Sequence, residues 1–310
     1  MVNCEAFSPA HITGFFMVEE SESPERKGSR GAGVSLARGV RTFVKTVKAH
    51  KWTFSIRVNG EPHKAVVSET VLEEFSRFTS HPYEIYVDHY LAVPIGAGYG
   101  TSGAVALSLA LALNAALNLG LTKAEAGRIA HNVEVKCRTG LGTVLAAFYG
   151  GVGIRERSGA PGIGVVKRIE TNGEKVVSLC CGPLLTSRFL ADSAFKRKVN
   201  VLGSKLIEEL LQEPSIINFL VRSRMFSDGI DIYTPELRML LSSMDRAGFS
   251  GFAMNMFGEA IFTVARGERL QSLLHLLRAN KPPSSQLIVS DIDPLGARLI
   301  DKSEDTGYAS

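Results

Sequence analysis

Apolar and polar positions alternate along several short stretches in the first third of the chain. The clearest is 83–91, where Tyr83, Ile85, Val87 and His89 fall on one face, the period of a half-buried strand. Further strands are predicted over 2–7, 52–58 and 64–67. From 104 to 121 the pattern becomes an unbroken apolar run, AVALSLALALNAALNLGL. It is long enough to span a bilayer, but it carries Ser108, Asn114 and Asn118 and lacks basic flanks and an aromatic belt, so a core helix is predicted. Gly120 serves as its C-cap. A second helix opens on Thr122-Lys123-Ala124-Glu125, a capping box. Beyond Gly150-Gly151, strands are predicted at 163–169 and 175–181, then helices at 194–212, 214–226 and 235–247, the last starting on Thr234-Pro235. Strands at 251–256 and 260–265, a helix at 270–277 and a strand at 286–291 follow, and 302–310 is polar and expected to fray. This alternation implies an α+β protein of two domains, 1–150 and 151–310, with no internal repeat.

Composition narrows the function. Of 310 residues, 45% are hydrophobic and 21% charged, enough for a core without disulfides or metals. The net charge of +4 is weak, and the densest basic stretch, Lys196-Arg197-Lys198, has no interleaved aromatics. It reads as a solvated helix face, so no nucleic-acid partner is expected. Cys4, Cys137 and the pair Cys180-Cys181 form neither a CxxC nor a zinc spacing. Asn3 and Glu5 interrupt any signal-peptide pattern. A cytoplasmic, membrane-free protein with reduced thiols is the expectation.

The most informative stretch is Val93-Pro94-Ile95-Gly96-Ala97-Gly98-Tyr99-Gly100-Thr101-Ser102-Gly103-Ala104, between a strand and the apolar helix. Three alternate glycines allow sharp backbone turns with amides pointing inward. The helix that begins near Ser102 adds its positive end. No Walker GxxxxGK[ST] is present, and Thr101 breaks the dinucleotide GxGxxG. Gly100-Thr101-Ser102-Gly103-Ala104 misses the hydrolase elbow GxSxG at its final position. A phosphate cradle, a structural turn and that near-miss elbow therefore all stay open on the residues alone. On the capped helix His131, Glu134 and Arg138 fall on one face. Glu134 and Arg138 would make an ordinary i,i+4 pair, worth about 0.2–0.5 kcal/mol.

Pro94 to Ala104 resembles the GHMP-kinase phosphate motif P-x-x-x-G-L-G-S-S-A-A, with Tyr99 for leucine, Thr101 for the first serine and Gly103 for an alanine. Ser8-Pro9-Ala10-His11-Ile12-Thr13-Gly14-Phe15-Phe16 is similar to the family's N-terminal motif. Ala253-Met254-Asn255-Met256-Phe257-Gly258 takes the place of its C-terminal glycine-rich motif, though without several closely spaced glycines. With Gly28-Ser29-Arg30-Gly31-Ala32-Gly33, this form resembles the archaeal pantoate kinase branch. The likeness covers almost the whole chain, in order.

The resemblance implies an N-terminal ribosomal-protein-S5-like domain and a C-terminal ferredoxin-like α/β domain. It implies ATP and Mg²⁺, the nucleotide being held by Pro94, Gly96, Ala97, Gly98, Tyr99, Gly100, Thr101, Ser102 and Gly103. Ser102 and Glu134 would be both catalytic and metal ligands. Thr143 is the third catalytic position implied: many relatives place an aspartate there, and since threonine cannot act as a base near neutral pH, it would bond the substrate hydroxyl or satisfy a buried turn. The implied activity is phosphorylation of the primary hydroxyl of pantoate to 4-phosphopantoate in coenzyme A biosynthesis. Another GHMP kinase (homoserine, mevalonate or shikimate type) and a non-catalytic nucleotide- or metabolite-sensing relative are the alternatives. Arg155 is the first candidate for the acid's carboxylate, because guanidinium binds it bidentately, followed by Arg138 and Arg30. His11, Ser29 and Thr139 are expected at the hydroxyls, and Phe15, Phe16 and Met254 at the methyls. The expected partner is this small acid, with a homodimer possible.

Overall fold

The two longest elements are strands that period-2 reading does not reveal. In the computed structural model, which describes residues 2–184 and 192–301, β1 (Val2–Glu19) pairs antiparallel with β2 (Gly28–Lys48) along almost its full length. Only 2–7 is predicted as a strand in this region. From Ala6 to His11 every residue of β1 is buried, and a strand covered on both faces shows no alternation. In β2, Gly28, Gly31 and Gly33 lower the strand signal further.

β3 (Thr53–Val58), β4 (Glu61–Pro62) and α1 (Val66–Ser76) follow. The strand expected at 64–67 is instead the lead into α1. The three-residue apolar run Ala65-Val66-Val67 cannot separate strand from helix, and the helical repeat of buried Val71, Leu72 and Phe75 lies beyond it. β5 (Tyr83–Leu91) follows, with Ile85, Val87 and His89 buried as the alternation requires. Next come α2 (Thr101–Ala116), α3 (Lys123–Cys137) and α4 (Thr143–Tyr149). α2 stops five residues before the end of the apolar run. Asn114 explains both that end and its own place in an apolar helix: its side-chain amide bonds the N–H and the carbonyl of Leu121 at 3.0 and 2.8 Å. Among the described residues no helix is long and apolar enough to cross a membrane.

β6 (Val152–Arg157) and β7 (Val165–Ile169) join the first sheet, whose order is β12-β1-β2-β5-β3-β4, with β6 on β2 and β7 on β6. Its edge strand β12 (Arg298–Leu299) comes from far along the chain. A division at residue 150 would therefore cut through one sheet. The second sheet, β11-β8-β10-β9, is built from β8 (Lys175–Pro183), β9 (Ala253–Met254), β10 (Gly258–Ala265) and β11 (Gln286–Asp291). Around it lie α5 (Ser193–Gln212), α6 (Ile216–Ile230), α7 (Pro235–Arg246) and α8 (Gly267–Asn280). The stretch 302–310, expected to fray, lies outside the described residues.

Two apolar cores meet along the β1–β2 ribbon. Ala10, Ile12, Phe15 and Val34 pack with the second sheet and its helices. Ala6 and Val44, farther along the same ribbon, pack with α1, α2 and α3. The ribbon thereby brings the 94–100 loop, α3 and the 253–258 segment to one place.

Candidate active site

The loop from Pro94 to Gly100 crosses from β5 to α2 with Gly96, Gly98 and Gly100 at φ of 74°, 80° and 62°. These left-handed values are costly for a residue with a Cβ. Its carbonyls are committed: Gly96 O accepts from Leu184 N at 3.1 Å, Tyr99 O from His11 N at 2.9 Å, and Gly100 O from Ala104 N at 3.1 Å. No amide from Ile95 to Gly103 has a backbone acceptor among the described residues. A run of free N–H groups ending in a helix N-terminus suits an anion.

Tyr99 has only its main chain to offer a ligand, because its side chain is used within the protein. The ring is buried, and its hydroxyl bonds Ser178 Oγ of β8 at 2.7 Å. Burial raises its pKa. Tyr99 thus anchors the loop to the second sheet. Asn255, which sequence reading left without a role, presses on the loop from that side: a Cβ on Gly98 would stand 2.9 Å from Asn255 Cβ. Its Oδ1 is buried without a partner among the described residues.

Ser102, on the first turn of α2, donates to Glu134 Oε1 of α3 at 2.9 Å. Glu134 is 1% exposed. Burial pushes its carboxyl up to about 7, opposed by hydrogen bonds from Ser102, the Val144 amide and Thr139. Two glycines make room for it. A Cβ on Gly140 would stand 2.6 Å from Oε1, and one on Gly103 would stand 2.8 Å from Oε2. A buried oxygen donor beside a hydroxyl and the anion loop suits a hard cation such as Mg²⁺, which prefers oxygen ligands and keeps several waters. Among the described residues no three His, Cys, Asp or Glu side chains cluster as a metal site.

Thr143 opens α4 against the same loop, its Cγ2 standing 2.6 Å from a Cβ built on Gly100. Arg138 does not share the face of His131 and Glu134. It is the C-cap of α3 at φ 57°, exposed, beside the exposed Thr139. His131 instead turns its Nε2–H to the carbonyls of Lys27 and Pro24 at 2.9 and 3.2 Å.

Arg155 of β6 is 1% exposed, and among the described residues no carboxylate pairs with it. Its Nε donates to Ser29 O and its Nη1 to His11 Nε2, both at 3.3 Å. Burial lowers its pKa to about 10, so it remains a cation at neutral pH. Gly142 lies against it: a Cβ there would stand 2.9 Å from Arg155 Nε and 2.3 Å from Ser29 Oγ. Arg30 is not brought here, because its Nη2 bonds Glu208 of α5 at 2.9 Å. Phe15 and Phe16 pack on Phe226 in the core, and Met254 is fully buried.

Residues 64–151 match the GHMP kinases N terminal domain. Over 278 residues the chain is 34% identical to the pantoate kinase of Thermococcus kodakarensis, with 88% of this chain and 91% of that one covered. This chain belongs to the pantoate kinase family of the GHMP kinases. The pantoate kinase of Methanocaldococcus jannaschii is 32% identical, with 88% and 96% covered. A solved phosphotransferase related to the CoA biosynthesis pathway superposes at a TM-score of 0.87 and 30% identity, covering 96% of this chain and 98% of that one. The two-domain GHMP fold expected from the motifs is the fold found. Within the pantoate kinase family fold, the three motifs converge on one loop: 8–16 through His11 N, 253–258 through Asn255, and 94–104 itself. Gly140 and Gly142 hold the space for Glu134 and Arg155.

Proposed function

We propose that this chain transfers the γ-phosphate of ATP to the primary hydroxyl of pantoate, giving 4-phosphopantoate for coenzyme A biosynthesis. The observation that carries the reading is Arg155, a buried cation without a carboxylate partner among the described residues, in the same site as the anion loop. Burying an unpaired charge is expensive, and a substrate carboxylate held by its free donors would offset that cost.

The amides of 95–103 and the start of α2 hold the polyphosphate. Ser102 and Glu134 hold Mg²⁺, which supplies charge neutralisation at the phosphates. Arg155 binds and orients the acid; Ser29 and Thr139 line the approach, and Arg138 is the nearby exposed cation. The Thr143 hydroxyl takes no proton at neutral pH. Phosphoryl transfer proceeds through a loose transition state, so the residues act mainly by positioning. The thiols of Cys137, Cys180 and Cys181, in no disulfide among the described residues, fit a reducing cytoplasm.

A coupled ADP-release assay across pantoate, homoserine, mevalonate and shikimate tests this. Pantoate is expected to give the highest kcat/KM, and Arg155→Ala to raise the KM for the acid at least tenfold while leaving that for ATP nearly unchanged. Preference for another acceptor, or no turnover with any, would refute it.

A further inference from the structure

His11 joins the two ends of the site. Its backbone N–H donates to Tyr99 O at 2.9 Å, and its carbonyl stands 3.1 Å from where a Cβ on Gly100 would lie, so its main chain is fixed to the phosphate loop. Its ring reaches Arg155, with Nε2 3.3 Å from Nη1, while Nδ1 lies 3.4 Å from Ser35 Oγ. A guanidinium has donors only, so Nε2 must offer its lone pair. The ring is then neutral, with its proton on Nδ1 facing Ser35. Burial, then the charge of Arg155, hold the imidazole pKa well below its usual value, which keeps that lone pair available. Both nitrogens are occupied by the protein and the residue is 3% exposed, which leaves no ring donor or acceptor for a substrate hydroxyl.

We infer that His11 is a positioning residue that fixes the Arg155 guanidinium relative to the phosphate loop, without touching the acid itself. This rests on the proposed role of Arg155 in holding the carboxylate. The acid hydroxyl must meet the terminal phosphate in line, and a displacement of about 1 Å in such a pair can cost ~10²-fold in rate. One residue bonded to both the loop and the guanidinium sets that separation directly. Ser35 completes the arrangement. Its backbone is held on both sides, its N–H donating to Gly151 O at 2.9 Å and its carbonyl accepting from Asp293 N at 3.0 Å. Its hydroxyl therefore gives the imidazole a fixed partner.

The test compares His11→Gln with His11→Asn. The longer glutamine carries an acceptor to about where Nε2 stands; asparagine reaches only to about Nδ1 and keeps the Ser35 side. Expected is a rise of tenfold or more in the KM for pantoate in H11N, a twofold or smaller change for ATP, and an acid KM within about threefold of wild type in H11Q. Ser35→Ala gives an independent arm, in which the acid KM rises severalfold and that for ATP does not. Equal, wild-type-like acid KM in H11N and S35A would overturn the inference. So would a parallel rise in both KM values with a lower Tm, the mark of a merely structural role. Arg155→Ala run alongside separates the two levels: if it too leaves the acid KM unchanged, the carboxylate assignment itself has failed.

Discussion

Gly103 and Thr143 occupy each other's space: a Cβ on Gly103 would stand 2.8 Å from both Cβ and Cγ2 of Thr143. Two of the positions at which this chain departs from the wider motifs, glycine for alanine and threonine for aspartate, thus face each other. Gly103→Ala is expected to displace Thr143 and Glu134 together, lowering kcat at least tenfold, ~1.4 kcal/mol or more of barrier. Removing the methyl in a Gly103→Ala, Thr143→Ser double variant should restore part of the loss. Steady-state kinetics on the four members of the cycle read that coupling.

Thr143→Val keeps the shape and deletes the hydroxyl. Since an alcohol is no base at neutral pH, kcat should stay within about tenfold of wild type. A thousandfold loss in single-turnover measurements would mean that the hydroxyl is indispensable to the reacting groups.

Glu134→Gln and Ser102→Ala remove the two proposed oxygen ligands. Glu134→Gln should lower turnover at least a hundredfold at about 1 mM Mg²⁺, with partial recovery as Mg²⁺ is raised. Ser102→Ala should do the same more weakly, because its neutral hydroxyl is the poorer ligand. A Mg²⁺ titration of initial rates checks both, and unchanged apparent Mg²⁺ affinity in both would exclude the pair.

His89 sits at the centre of a buried chain of side chains. Its Nδ1 lies 2.8 Å from Thr42 Oγ1 and its Nε2 3.0 Å from Ser68 Oγ, while Thr42 lies 2.6 Å from Ser108 of α2. Burial lowers its pKa from 6.5 to about 4. Between those values the unfolded chain binds the proton and the folded one does not, so stability falls as pH drops from about 6.5 toward 4. Urea unfolding at pH 7 and pH 5 should show a shallower pH slope in His89→Gln than in wild type, whatever the variant's absolute stability.

Much of the fold was readable from periodicity and caps. The 83–91 strand alternates, and the Thr122–Glu125 capping box is present, Glu125 N donating to Thr122 Oγ1 at 3.2 Å and Thr122 N to Glu125 Oε2 at 2.8 Å. What escaped was structure determined by tertiary context. β1 is covered on both faces and so loses its alternation. Arg155 and, after it, Arg30 are both carboxylate candidates in the sequence, and only the fold gives Glu208 to Arg30 and leaves Arg155 without a carboxylate among the described residues. The close approach of Gly142 to Ser29 joins segments over a hundred residues apart, and no local pattern encodes it.

The edge strand of the first sheet comes from residues 298–299, and the segment leading to it bonds Gly151 N through Asp293 O and Ala147 O through Ala297 N. On the ribosome, the support beneath α4, and so beneath Thr143, stays incomplete until that late segment has emerged. A fragment confined to the matched 64–151 stretch would lack it entirely. Such long loop closure favours slow folding, and the 94–100 loop becomes fully braced only when nearly all of this sequence has been made.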